Sequence, residues 1–167
     1  MSTQKTTIER IYLDMDGVIA DFTTRYKDLF KMHPREAENY QKFNTFFDEF
    51  IETKQFETLD LMPGAMDLIN ALKASSVPVE ILSSTANQEK YEPISTQKVV
   101  WLEKYDIPFV QNFVPGKRHK KNWAKPNHII IDDTKSIIDD WQQAGGIAIW
   151  HQDVPSTLDI LAKLNCV

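Results

Sequence analysis

Short apolar runs closed by polar residues or glycine recur along the chain, and between them lie longer segments whose apolar residues return every three or four positions. Ile11-Tyr12-Leu13 ends one such run, and Val77 to Leu82, Phe109 to Phe113, His128 to Ile131 and Ile147 to Trp150 supply four more. Near-continuous apolar strands of this kind fit a parallel sheet covered on both faces. Helical spacing marks Ala65 to Lys73, Glu89 to Tyr105, Thr134 to Ala144 and a last segment opening near Ser156 and running to about Leu164. Strands alternating with helices predict right-handed βαβ units. The expected fold is therefore α/β: a Rossmann-like parallel sheet of five strands with helices on both faces. Gly145-Gly146 stops one helix before a strand, and Pro155-Ser156 suits a helix entrance.

Residues 22 to about 62 break the alternation, because two or three helical stretches intervene there between the first strand and the next unit. Seven of the nine phenylalanines fall in this segment: Phe22, Phe30, Phe43, Phe46, Phe47, Phe50 and Phe56. It reads as an inserted small helical cap, 22–62, with a small apolar core of its own, set into a main domain formed by 1–21 and 63–167. The stripes Phe22, Tyr26, Phe30 and Phe43, Phe46, Phe47, Phe50 have helical spacing and read first as packing.

With 167 residues, 42% apolar and 26% charged, the chain suits one folded domain with a modest insertion. Nineteen Lys and Arg against 24 Asp and Glu give a net charge of −5, which argues against extended nucleic-acid binding. The single cysteine, Cys166, excludes an internal disulfide framework and a Cys-based zinc cluster. The polar start lacks the apolar stretch of a secretory signal, and no segment approaches the ~20 apolar residues that span a bilayer. A cytoplasmic address with no membrane partner is the simplest expectation, and a homodimer is left open. No Walker loop or dinucleotide fingerprint is present.

The candidate chemistry lies where strands end. Asp14 and Asp16 follow the first strand, and residues two apart in extended chain share a face, so both side chains are expected in one crevice. Gly17 lets the backbone turn away from it. A second pair, Asp132-Asp133, follows the run His128 to Ile131 at the equivalent end of a neighbouring strand. Clustered carboxylates repel one another, and a hard cation such as Mg²⁺ relieves that repulsion. Asp133 and Asp139-Asp140 read equally well as helix caps. His33, His119, His128 and His151 lack metal-ligand spacing.

The segment Asp14-Met15-Asp16-Gly17-Val18 resembles the first motif of the haloacid dehalogenase (HAD) superfamily of aspartate-nucleophile phosphatases. Ser83 in Ile81-Leu82-Ser83-Ser84 resembles the second motif, a lysine of the 117–121 basic run the third, and Asp132-Asp133 the fourth. Within that superfamily, Asp14 to Phe22, Pro63-Gly64-Ala65, Trp101 to Tyr105 and Ile131-Asp132-Asp133 are similar to the 5'(3')-deoxyribonucleotidase group. The resemblance implies a Mg²⁺-dependent phosphomonoesterase acting on a small phosphate ester, a nucleoside monophosphate by the closer match. It implies Asp14 as nucleophile and Asp16 as general acid and base. Asp14, the Asp16 backbone carbonyl and Asp132 would hold the metal. Ser83 and backbone N–H groups around Ser84 would donate to the phosphate, though Ser83-Ser84-Thr85 also reads as a helix cap. The motif's spacing favours Lys120, with Lys121 the runner-up. Phe22 would stack on a base, Phe46-Phe47 could form a second aromatic wall, and Asp133 would lie near the substrate. Lys98 precedes the matched tryptophan and would add positive potential, although its position on a helix reads as an ordinary exposed one. Other readings are a phosphatase for a sugar phosphate or nucleic-acid end, and a catalytically silent phosphate- or partner-binding module.

Overall fold

The computed structural model describes residues 6–167; the opening residues 1–5 of the 1–21 segment lie outside that range. Its strands are β1 (Arg10–Leu13), β2 (Val79–Ser84), β3 (Val110–Val114), β4 (His128–Asp132) and β5 (Ile147–Trp150), all parallel, in the order β3-β2-β1-β4-β5. The order reverses between β1 and β4, which makes the crevice beyond their carboxyl ends the ligand-binding position of such sheets. Register brings these ends level: Leu13 lies beside both Ile81 and Ile131. The ladder continues one step further through the Asp14 N–H, which donates to the Ile131 carbonyl at 3.0 Å.

The period-two alternation sends Ile11, Leu13, Ile81, Ile129 and Ile131 to one face, where they meet α4 (Ala65–Lys73), α5 (Tyr91–Lys104) and α7 (Val154–Lys163). Tyr12, Leu82 and Ile130 point to the other face and pack on Ile137, Ile138 and Trp141 of α6 (Lys135–Gln143). The expected α/β sheet of five parallel strands flanked by helices is thus the observed one.

Several boundaries differ from expectation by one or two residues, and two of the shifts have a plain local reason. Strand β2 begins at Val79 and not Val77, since Pro78 has no N–H to give the ladder; only its carbonyl joins, accepting from the Ile11 N–H at 2.9 Å. The strand then runs on through Ser83 and Ser84, which pair with Phe113 and Val114. Helix α7 starts at Val154, two residues before Ser156, because Asp153 caps it by accepting from the Ser156 N–H at 2.8 Å.

The insertion folds as α1 (Phe22–Phe30), α2 (Pro34–Asn39), α3 (Phe43–Glu52) and a 3₁₀ turn, Gln55–Thr58. Its apolar residues do not form a separate core. Tyr26, Phe47, Phe50 and Phe56 belong to the same buried cluster as Leu13, Leu68 and Trp101. Polar side chains of α5 fasten it there: Gln97 Nε2 donates to the Ile51 carbonyl at 2.9 Å and its Oε1 accepts from the Phe56 N–H at 3.3 Å. Trp101 Nε1 donates to the Leu59 carbonyl at 2.7 Å. Among the described residues, no helix is long and apolar enough to cross a membrane.

Candidate active site

Asp14 leaves β1 and Asp132 ends β4, so adjacent strands deliver two carboxylates to one place. Lys120 joins them from a 3₁₀ turn, Lys117–Trp123, with Nζ donating to Asp14 Oδ1 at 2.8 Å and to Asp132 Oδ2 at 2.7 Å. Of the two candidate lysines, Lys120 is only 2% exposed and points in, whereas Lys121 is exposed. Burial alone would lower the Lys120 ammonium, but Asp14 and Asp132 outweigh it and hold the group above its ordinary value. Lys120 is therefore a fixed positive charge at neutral pH.

Asp133 extends the cluster. One oxygen each from Asp14, Asp132 and Asp133 lie within 4.8 Å of one another. It makes no helix cap through its side chain, since the α6 N-terminus has Thr134 in that position. Gly17, at φ +80°, makes room for it: a Cβ there would fall inside the Asp133 carboxylate. Lys120 pairs with two of these three carboxylates, and the crowded negative charge appears in the titration of Asp132 and Asp133. Burial, followed by the charge of Asp14, pushes the Asp132 carboxyl up against the pull of Lys120. Burial, Asp14 and Asp132 push Asp133 up to about 7. A set of hard oxygen donors with unrelieved negative charge fits Mg²⁺, and Asp14, Asp132 and Asp133 are the side chains that would hold it.

A second buried lysine serves the other motif aspartate. Lys98 of α5 is 1% exposed, not the exposed helix position its sequence context suggested. Its Nζ donates to Asp16 Oδ2 at 2.9 Å, Ser83 Oγ at 2.7 Å and the Ser84 carbonyl at 2.9 Å. The other carboxylate oxygen, Asp16 Oδ1, is buried with no hydrogen-bond partner among the described residues, while Asp16 itself lines the cleft. A buried acceptor without a partner is unfavourable unless a ligand or proton completes it. Ser83 is fully buried; Ser84 reaches the cleft, its Oγ accepting from the Ala86 N–H at 3.2 Å. Neither serine caps α5, which begins at Tyr91.

Above these groups opens a cleft of about 1030 Å³ between the carboxyl ends of the strands and the insertion. Phe22, Phe43, Phe47 and Phe56 line it. Phe22 is half-buried and stacks on Phe56 with ring centroids 5.7 Å apart and planes 10° from parallel, so it is packed and cleft-facing at once. Phe46 instead stacks on Phe30 at 4.6 Å, and only Phe47 of the Phe46-Phe47 pair faces the cleft. Sequence reasoning did not single out Phe56, Arg35 or Arg118 as cleft residues. Phe56 had a signal, as a lone aromatic next to the turn that reconnects insertion and sheet; the arginines had none.

No protein-family model matches the chain, and no curated protein sequence matches it. Solved structures do. A hydrolase from Streptococcus pneumoniae is similar over 93% of this chain and 99% of its own, with 15% identity and a TM-score of 0.57. A HAD-superfamily hydrolase from Ehrlichia chaffeensis covers 96% and is covered over 98%, at 12% identity and a TM-score of 0.55. A hydrolase from Pseudomonas syringae aligns over 92% and 90%, at 12% identity and a TM-score of 0.51. At such identities the likeness is one of fold, and the fold it establishes is the five-stranded parallel α/β architecture of HAD hydrolases.

Proposed function

We propose that this protein is a Mg²⁺-dependent phosphomonoesterase that works through an aspartyl-phosphate, and that its substrates are nucleoside monophosphates. The observation that carries the proposal is the convergence of the Asp14, Asp132 and Asp133 carboxylates with two buried lysines on the floor of one cleft.

Asp14 is the nucleophile: a carboxylate oxygen forms a bond to phosphorus as the bond to the leaving oxygen breaks. Lys120 keeps this carboxylate aimed. Asp16, through its unpartnered Oδ1, gives a proton to the leaving oxygen; it then takes one from the water that attacks phosphorus and releases Asp14. One proton leaves Asp16 and one returns, so the cycle converts ester and water to alcohol and phosphate. Lys98 and Ser83 position Asp16, and Ser84 faces the phosphate. When bound, Mg²⁺ neutralises phosphoryl charge, held by Asp14, Asp132, Asp133 and the Asp16 backbone carbonyl that the motif resemblance adds.

The nucleotide assignment rests on the aromatic wall, where flat faces of Phe22 and its neighbours suit a planar base. The test is phosphate release with Mg²⁺ over nucleoside monophosphates and sugar phosphates, beside Asp14→Asn. Nucleotides are expected to be preferred, and Asp14→Asn to lose on the order of 10⁴-fold in kcat. Preference for a sugar monophosphate over every nucleotide would remove the substrate assignment and leave the chemistry. An Asp14→Asn variant that kept its activity would remove both.

A further inference from the structure

The mouth of the cleft holds positive charge that the chemistry on its floor does not use. Arg35, from α2 of the insertion, and Arg118, from the 3₁₀ turn that carries Lys120, line the same cleft as Asp14, one from each side. Lys117 lines it as well. Among the described residues, none of these three side chains forms a salt bridge or a side-chain hydrogen bond, although the protein has an excess of acids, −5 overall. Among the described residues, Glu38 is the only acid lining the cleft outside the catalytic group.

The first phosphate does not need them. It is met by Lys120, by the backbone around Ser84 and by the cation site. The cleft, at about 1030 Å³, stands at the top of the ~300–1000 Å³ range of pockets that enclose drug-sized ligands. It therefore has room for more than a scissile phosphate and a base. Arginines are the side chains best suited to a second phosphate, because the planar guanidinium donates two parallel hydrogen bonds to one group.

We propose that Arg35 and Arg118 form a second phosphate subsite at the cleft mouth, so that the preferred substrates carry another phosphate away from the ester being cleaved. This rests on the phosphomonoesterase reading above and extends its substrate class from monophosphates to esters that carry a second phosphate. The second phosphate belongs either to a bisphosphorylated nucleoside or to the next linkage of a short oligonucleotide, and both present the same anion to the arginines.

The test compares kcat/KM within matched sets. One set is a deoxynucleoside 5'-monophosphate, its 3',5'-bisphosphate and a 5'-phosphorylated dinucleotide; the other is fructose 6-phosphate and fructose 1,6-bisphosphate. The expected result is a preference of about tenfold or more for the doubly charged member, carried by KM, as one good charge-assisted contact gives. In Arg35→Gln/Arg118→Gln the ratio falls towards one, and 0.3 M salt shrinks it in the wild type. A greater gain for the bisphosphate than for the dinucleotide identifies a terminal phosphate as the ligand; the reverse identifies a diester. A ratio near one in both sets for the wild-type enzyme, or a ratio unmoved by the double substitution, overturns the proposal. Because the nucleotide assignment is scored on monophosphates alone, its failure is seen separately: a sugar set that wins but still prefers the bisphosphate keeps the subsite and discards the base. If nothing is turned over, calorimetric affinities of the same compounds for Asp14→Asn with Mg²⁺ are read by the same ratio.

Discussion

Two lysines on the floor of the cleft divide its labour, and substitution separates them. Lys120 ties Asp14 to Asp132, whereas Lys98 holds Asp16 against Ser83 and the Ser84 carbonyl. If Asp16 donates the proton to the leaving oxygen, Lys98→Met slows the departure of poor leaving groups more than good ones. The pre-steady-state burst on an alkyl monophosphate is expected to slow by about 10²-fold, the lower range of general-acid contributions. With p-nitrophenyl phosphate, whose leaving group needs no proton, the loss is much smaller. Equal losses on both would make Lys98 a general structural support. Tyr26 gives a contrasting case. Its ring is fully buried among Phe22, Phe30, Phe43 and Phe50, and its hydroxyl has no partner among the described residues. Burial, with Glu38 nearby, pushes the phenol up to about 12, so it stays a neutral, unsatisfied group. Tyr26→Phe removes that group without opening a cavity and is expected to leave stability unchanged or raise it by about 1 kcal/mol. Urea melts check this as a midpoint shift at constant slope. A drop of similar size would show that the hydroxyl is bonded in solution.

Helix α5 is the element on which site and insertion both depend. Its Lys98 reaches the floor, and Gln97 and Trp101 hold the backbone of the insertion. Trp101→Phe keeps an aromatic ring in the core but leaves the Leu59 carbonyl without its donor, which costs about 1–3 kcal/mol for a buried polar group. Because Phe56 lies on the segment so fastened, KM for substrate is expected to rise while Asp14 chemistry persists. Thermal melts and steady-state kinetics on one preparation read both effects. The same helix shows where sequence reasoning stops. Strand ends and their acids were legible because a buried parallel strand is an unbroken apolar run, and Asp14 and Asp132 directly follow such runs. Lys98 was named through the resemblance, but its burial was not legible, since a lysine on a helix usually faces water. A cue existed: Ile94, Lys98, Trp101 and Leu102 share one stripe, and all are buried. What makes a lysine tolerable on that stripe is Asp16 and Ser83, 82 and 15 residues away in sequence. The insertion's core was misread for a related reason: helical spacing reports which face is buried, not against what.

Across the whole molecule, the end of the sheet opposite the cleft carries its own row of charge, and it makes stability depend on pH. Arg10 on β1 pairs with Glu80 on β2, Asn112 on β3 donates to Glu80 at 3.1 Å, and His128 begins β4. Burial pushes the Glu80 carboxyl up, but Arg10 and Asn112 outweigh it and hold it below its ordinary 4.5. His128 is held below its ordinary 6.5, first by burial and then by Lys125 and Arg10, against the weaker opposing pull of Glu9 and Glu80. Between its folded and unfolded values, the unfolded chain binds a proton that the folded chain refuses, so stability falls as pH drops below about 6.5. Glu80 adds a separate loss at lower pH, as its folded carboxylate is finally protonated. Two other groups act in the same window as His128. His151, also buried and lowered, adds to the loss. Asp133, raised to about 7, opposes it, because the folded state takes up its proton first. The total slope is thus a sum of both signs, and the informative quantity is the difference between wild type and His128→Gln. That difference in unfolding free energy, read from urea melts at each pH, is expected to be constant above pH 7. Below about 6.5 it should shift steadily in favour of the variant, by at most about 1.4 kcal/mol per pH unit, the limit for one proton. A difference that stays flat from pH 7.5 to 5 would show that His128 takes up its proton as readily in the folded protein as in the unfolded chain, and that the sheet's far end does not exclude that charge.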